Sequence, residues 1–254
     1  MLKKILVLIL SLSVICCALT SCSETAADVI AKADKALLSK PYQVDMDMSF
    51  SCDNQELSSI FESMETDAKM YIDGDSMKLV MEMMGAELEM LCHDKVMYMA
   101  VSFGGQSQKA KATMNDEQLE EFMGENSTTS DFSVSDFETV EMKTEKGKTI
   151  ITCTGISEEA LAKEVNSAME DMGLNGTGAE LAIENLKLVT VIEDGKYDSY
   201  TITGDYVIKI QGLSFNVGYE IELEFDYENV ALSKPADASS YQTLTYDELM
   251  NGLN

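Results

Sequence analysis

Apolar and polar residues alternate strictly through "YQVDMDMSFSC", residues 42–52. Tyr42, Val44, Met46, Met48, Phe50 and Cys52 have one parity, and Gln43, Asp45, Asp47, Ser49 and Ser51 the other. Strand side chains repeat every two residues, so the pattern predicts a strand with one dry and one wet face. The same period returns along most of the chain. "DAKMYIDGDSMKLVMEM" reads as two strands turning at Asp73-Gly74, with Met77, Leu79, Met81 and Met83 on one face. A turn near Gly85 leads to "ELEMLCHD", where Leu88, Met90 and Cys92 align, and Asp94-Lys95 turns the chain into "VMYMAVSF". Further hairpins are predicted around Lys146-Gly147 and Asp194-Gly195. "LSFNVGYEIELEFDYENV" is the longest alternating run, with Leu213, Phe215, Val217, Tyr219, Ile221, Leu223, Phe225 and Tyr227 inward. Residues 104–114 are polar and read as a loop, while residues 53–64 fit a short helix or a hairpin extension equally.

Helical spacing interrupts this pattern in a few places. "ETAADVIAKADKALLSKP" puts Ala26, Val29, Ile30, Ala33 and Leu37 on one stripe, with Thr25 and Asp28 as a capping pair and Pro41 as a stop. "NDEQLEEFMG" begins at Asn115 with Gln118 behind it and ends at Gly124. "SEEALAKEVNSAMEDMG" is capped by Ser157, carries Leu161, Val165, Ala168 and Met172 on one face, and closes at Gly173. After a loop at Pro235, "TYDELMNGL" reads as a short tail helix capped by Thr245 and Glu248. Many long strands and few short helices define an α+β fold: one large curved antiparallel sheet, an open half barrel, with the helices on its concave side.

The N-terminal residues carry a different signal. Lys3 and Lys4 precede an apolar stretch from Ile5 to about Leu19, the pattern of a signal peptide. Leu19-Thr20-Ser21-Cys22 then resembles a bacterial lipobox. That resemblance implies a signal peptide over residues 1–21, a lipidated Cys22 as first residue of the mature chain, and one domain over residues 22–254. The apolar run is short for a membrane span, whereas acyl chains on one cysteine are enough to anchor a protein. The expected location is the extracytoplasmic face of the bacterial cell membrane, with the membrane as a partner through Cys22.

Composition narrows the partners. The formal charge is −27, with no tryptophan, and every basic residue other than the one histidine is a lysine. Such a chain is not expected to bind nucleic acid or an anionic lipid surface by charge. Beyond Cys22 and the signal region, Cys52, Cys92 and Cys153 remain, either with two of them paired or all three buried as small apolar residues. Of the eighteen methionines, Met46, Met48, Met77, Met81, Met83, Met90, Met97 and Met99 crowd the first half of the sheet. Methionine is a flexible thioether that fills cores and also repacks around ligands of varied shape. Met46, Met48, Phe50, Met77, Leu79, Met81, Met90, Tyr219 and Phe225 are therefore the candidate apolar ligand-binding residues.

Other chemistry is thinly supported. Met90, Cys92, His93, Met97 and Met99 lie close in sequence and are soft-metal ligand types, but alternation puts His93 on the opposite face. His93 is the one histidine, and no zinc-protease, nucleophile-elbow or phosphate-loop motif is present. Glu220, Glu222 and Glu224 are spaced as a solvated sheet face. Neither a metal nor a cofactor is expected, and no enzymatic activity.

The order of elements is similar to that of the LolA/LppX-type lipoprotein superfamily. The likeness rests on the lipobox "LTSC", the leading helix running into "PYQVDMDMSF", the "MYIDGDSMKLVM" hairpin, and the helix "NDEQLEEFM" between strands. It implies a half barrel whose mouth is plugged by helices, and carriers of this group hold acyl chains between sheet and helices. A lipid or other apolar ligand on the dry face is thus one expectation. The alternative is a ligand-free envelope scaffold that meets a protein partner through its acidic outer face.

Overall fold

The computed structural model describes residues 24–251 apart from 56, 64, 126–132, 172–177, 211 and 229. The expected signal peptide, Cys22, Met172, Gly173 and most of the two loops around residues 125–133 and 173–179 lie outside the described residues.

The chain opens with α1 (Ala26–Leu37). Its start is a reciprocal cap: the Asp28 N–H donates to Thr25 Oγ1 at 3.2 Å, and the Thr25 N–H donates to the Asp28 carboxylate at 3.1 Å. The stripe predicted from spacing is the one that packs, with Val29, Ala33 and Leu37 buried. Strand β1 (Tyr42–Cys52) follows, then a one-turn helix α2 (Ser58–Glu62) in the stretch that fitted two readings. A meander comes next: β2 (Thr66–Asp73), β3 (Ser76–Met83), β4 (Ala86–His93), β5 (Val96–Phe103) and β6 (Gln106–Thr113).

Strand β6 corrects the expected polar loop over residues 104–114. Its inward parity carries Gln106, Gln108 and the small Ala110 and Ala112, the last fully buried, and its outward Lys109 and Lys111 meet the C-terminal tail. Alanine facing lysine gives almost no hydrophobic alternation, so the period-two signal is faint there.

Helix α3 (Asp116–Glu125) is capped by Asn115 and Gln118 through paired hydrogen bonds of 2.8 and 2.9 Å, and runs one residue past Gly124. The hairpin β7 (Phe137–Glu145) and β8 (Lys148–Ile156) leads to α4 (Glu158–Asp171), where Ser157 Oγ accepts the Ala160 N–H at 3.3 Å. The long strands β9 (Glu180–Glu193), β10 (Lys196–Ile210) and β11 (Leu213–Asp226) follow, then the tail with β12 (Gln242–Thr243) and α5 (Tyr246–Asn251).

These strands form one twelve-stranded sheet in the order β12-β6-β5-β4-β3-β2-β1-β11-β10-β9-β8-β7. All pairs are antiparallel except β12 with β6, and the sheet does not close into a barrel. The β1–β11 pairing, from Gln43↔Asp226 to Cys52↔Val217, joins the two halves of the chain into one sheet. One face of that sheet carries the main core, in which Val29, Ala33 and Leu37 of α1, Phe122 of α3 and Leu249 of α5 pack among strand residues. A second, smaller core on the other face was not foreseen. Leu91 and Tyr98 sit at outward positions of β4 and β5 and are covered by Tyr241 of the tail, whose ring meets Tyr98 edge-on at 5.4 Å. The tail then turns around β6, so that Leu244 and Leu249 reach the inner core.

Candidate ligand face

Cross-strand register converts the candidate residues into rows on one inner face. The deepest row runs Tyr42–Ile72–Met77–Cys92–Met97–Ala112 across β1 to β6. Beside it lies Phe225–Val44–Met70–Leu79–Met90–Met99–Ala110. The third row is Leu223–Met46–Ala68–Met81–Leu88–Val101, and the outermost is Ile221–Met48–Thr66–Met83–Ala86–Phe103. All nine candidate residues therefore share this face, Phe50 and Tyr219 pairing directly at its far end.

Burial changes along the strands. Met77 at the deep end is 1% exposed, and Cys92 and Met97 are fully buried. Leu79 and Tyr219 are also buried, while Met46, Met48, Phe50, Met81, Met90 and Phe225 are half-buried. At the other end Met83 is 45% and Phe103 65% exposed. The inner face is thus sealed at one end and, on the β3–β5 side, apolar but exposed at the other. Met83, and Leu213 at 69% exposure, correct the expectation that these alternating positions lie inside. Both stand at strand ends.

Aromatic residues complete the face on the β10–β11 side. Tyr206 stacks on Tyr219 with centroids 4.6 Å apart, and Tyr197 on Phe225 at 5.3 Å. The Tyr219 ring lies across β10 at Gly204, where an added Cβ would sit 2.7 Å from the Tyr219 oxygen. Tyr197 donates a hydrogen bond to Asp34 of α1 at 2.5 Å, tying the helix to the sheet. Burial first, and the Asp34 carboxylate second, push the Tyr197 phenol well above its usual range, so it stays a neutral donor. Gly204 and Tyr206 were missed from sequence because a close cross-strand approach leaves no periodic signature.

The remaining chemistry is distributed differently. Among the described residues Cys52, Cys92 and Cys153 are free thiols, with Cys92 and Cys153 buried, and burial raises the pKa of both. His93 faces outward, as alternation predicts, with Nδ1 3.0 Å from Ser76 Oγ and Nε2 3.5 Å from the Asp94 carboxylate. This serine–histidine–aspartate contact is a hairpin-end arrangement. Asp94 is in a turn with 88% of its side chain exposed, so it does not fix the imidazole as a buried orienting carboxylate does.

The outer face is acidic. Glu222, Asp47, Asp67, Glu82 and Glu87 are consecutive cross-strand neighbours on β11, β1, β2, β3 and β4. A concavity of about 520 Å³ lies over part of this row, with Lys69 the basic residue in its lining. A second, of about 470 Å³, lies over Gly218, Ser51 and Asp205.

No family model matches the chain, and no curated protein matches it. Among solved structures, a GphF dehydratase variant made for improved crystallization covers 78% of this chain and 81% of its own, at 7% identity and a TM-score of 0.13. That degree of likeness carries no argument about fold or chemistry.

Proposed function

We propose that this protein is a membrane-anchored lipoprotein of the LolA/LppX-like kind, lipidated at Cys22, that holds an acyl chain or similar apolar ligand on the inner face of its half barrel. The observation that carries the reading is the burial gradient on that face. An apolar strip containing Met46, Met81, Leu88 and Val101 is only half covered, and it leads from a sealed floor to the exposed Met83 and Phe103. These side chains pack against the core yet keep some exposure, leaving apolar surface that a ligand could cover. Thioethers along the strip can repack around chains of differing length. The ligand would lie between the strip and the helices, tail inward, and the protein would carry or sense it at the extracytoplasmic surface without catalysing a reaction. Met81→Lys and Val101→Lys each put an ammonium into the strip at partly exposed positions. Each is expected to lower retention of a fluorescent fatty-acid probe by about tenfold while the melting temperature stays within a few degrees. Unchanged retention in both variants would count against this site.

One observation favours a second reading. The row of five carboxylates on the outer face is costly to the isolated fold, and a basic envelope partner laid against it would relieve that cost.

A further inference from the structure

The two edges of the sheet are finished differently. At β6 the edge is wrapped by the tail: β12 pairs with it, the Leu244 N–H donates to the Lys111 carbonyl at 2.9 Å, and Lys109 meets Asp237 at 2.7 Å. At the other edge β7 pairs with β8 alone among the described residues. It is nine residues long, and every residue after Phe137 is exposed, including Val140 at 37% and Met142 at 42%.

The ladder fixes which backbone groups are unspent. Glu145↔Lys148 closes the two-residue turn at Lys146-Gly147, both of positive φ, so odd-numbered β7 residues bond to β8. The N–H and C=O groups of Glu138, Val140, Met142 and Thr144 then point away from the sheet. Val140 and Met142 are on the inner face, since they pair with the buried Cys153 and Ile151.

We propose that this edge is a self-association surface, with β7 pairing antiparallel to β7 of a second copy about a two-fold axis at Met142. That axis opposes Met142 to its own counterpart, which is a hydrogen-bonded position, as the free groups require. The same register sets Glu141 opposite Lys143 and Lys143 opposite Glu141, so the charges match twice on the outer face. On the inner face it sets Val140 opposite Thr144. Centring on Val140 instead brings no opposite charges together, and centring on Thr144 keeps one kind of charge pair while shortening the overlap. The Met142 register alone combines matched charges with an overlap of most of the strand, which argues for a second copy of this chain over an unrelated strand. Pairing this way buries Val140 and Met142, extends both sheets into one, and keeps the inner faces and the α1 helices of both copies on the same side.

The test uses the chain from Ser23 to Asn254, which carries every described element. Sedimentation velocity from about 2 to about 200 µM is expected to show a concentration-dependent dimer, as a modest interface implies. Glu141→Lys and Lys143→Glu, both at exposed positions, are each expected to weaken it about tenfold, because each opposes like charges twice. An equimolar mixture of the two variants is expected to recover the dimer, since lysines on one strand then face glutamates on the other. A monomer throughout the range, a dimer indifferent to the single substitutions, or a mixture that stays monomeric overturns the proposal.

Discussion

Gly204 shows how much of the ligand face depends on a single missing methyl group. Its neighbour across the ladder is Tyr219, and a Cβ there would lie 2.7 Å from the phenol oxygen and 2.9 Å from the ring carbon bearing it. Gly204→Ala must push the ring off its stack with Tyr206, and is expected to cost about 2 kcal/mol in urea unfolding. A cost near zero would mean that the ring moves freely and does not shape the face. Cys92 makes a second prediction at this scale. Burial pushes its thiol up to about 11, so the fold favours the protonated form. Its contribution is intact below the ordinary thiol pKa of 9.0 and is lost as pH rises from there toward about 11. Denaturant melts at stepped alkaline pH should show stability falling through that window, and Cys92→Ala should flatten the fall. Parallel losses in parent and variant would assign the fall to other groups.

At the scale of elements, legibility followed contrast. Strand β1, the β2–β3 hairpin and β11 were readable because methionines and aromatics alternate with carboxylates in them. Helices α1 and α3 were readable because both partners of each cap are in the sequence, and both caps form. Strand β6 was not, since its inward residues are glutamines and alanines and its outward lysines find partners more than a hundred residues away in the tail. For the same reason the Leu91–Tyr98–Tyr241 core was invisible: outward apolar residues in β4 and β5 make sense only once the tail lies on them. The register puts the nine candidate residues on one face, as their parity requires, while their burial depends on tertiary packing that parity does not encode. The carboxylate row is also an element-scale feature, because only the register brings it together. Asp67 sits between Asp47 and Glu82. Asp67→Lys replaces two repulsions by two attractions and is expected to raise stability by about 0.5–1 kcal/mol at low salt, less at high salt. A loss of stability instead would show that the row is already neutralised by something bound to it.

The whole molecule is an open sheet with helices packed on one face. Twelve strands held as a barrel would have no edges and no accessible interior rim; left open, the sheet keeps an apolar strip within reach of solvent and, among the described residues, an unpaired edge at β7. These two features are independent, since the first concerns what lies on the face and the second what lies beside it. No helix among the described residues is long and apolar enough to cross a membrane. In the proposal the membrane contact is made by acyl chains on Cys22, while the strongly acidic balance of the chain keeps the rest of it off anionic headgroups. The central claim is that the half-covered strip holds an apolar molecule. Native mass spectrometry of the chain from Ser23 to Asn254, followed by solvent extraction of whatever it retains, tests this most directly. The expected result is a stoichiometric lipid on the parent protein, diminished in Met81→Lys. A bare protein mass that does not change when bacterial lipid extract is added would contradict it.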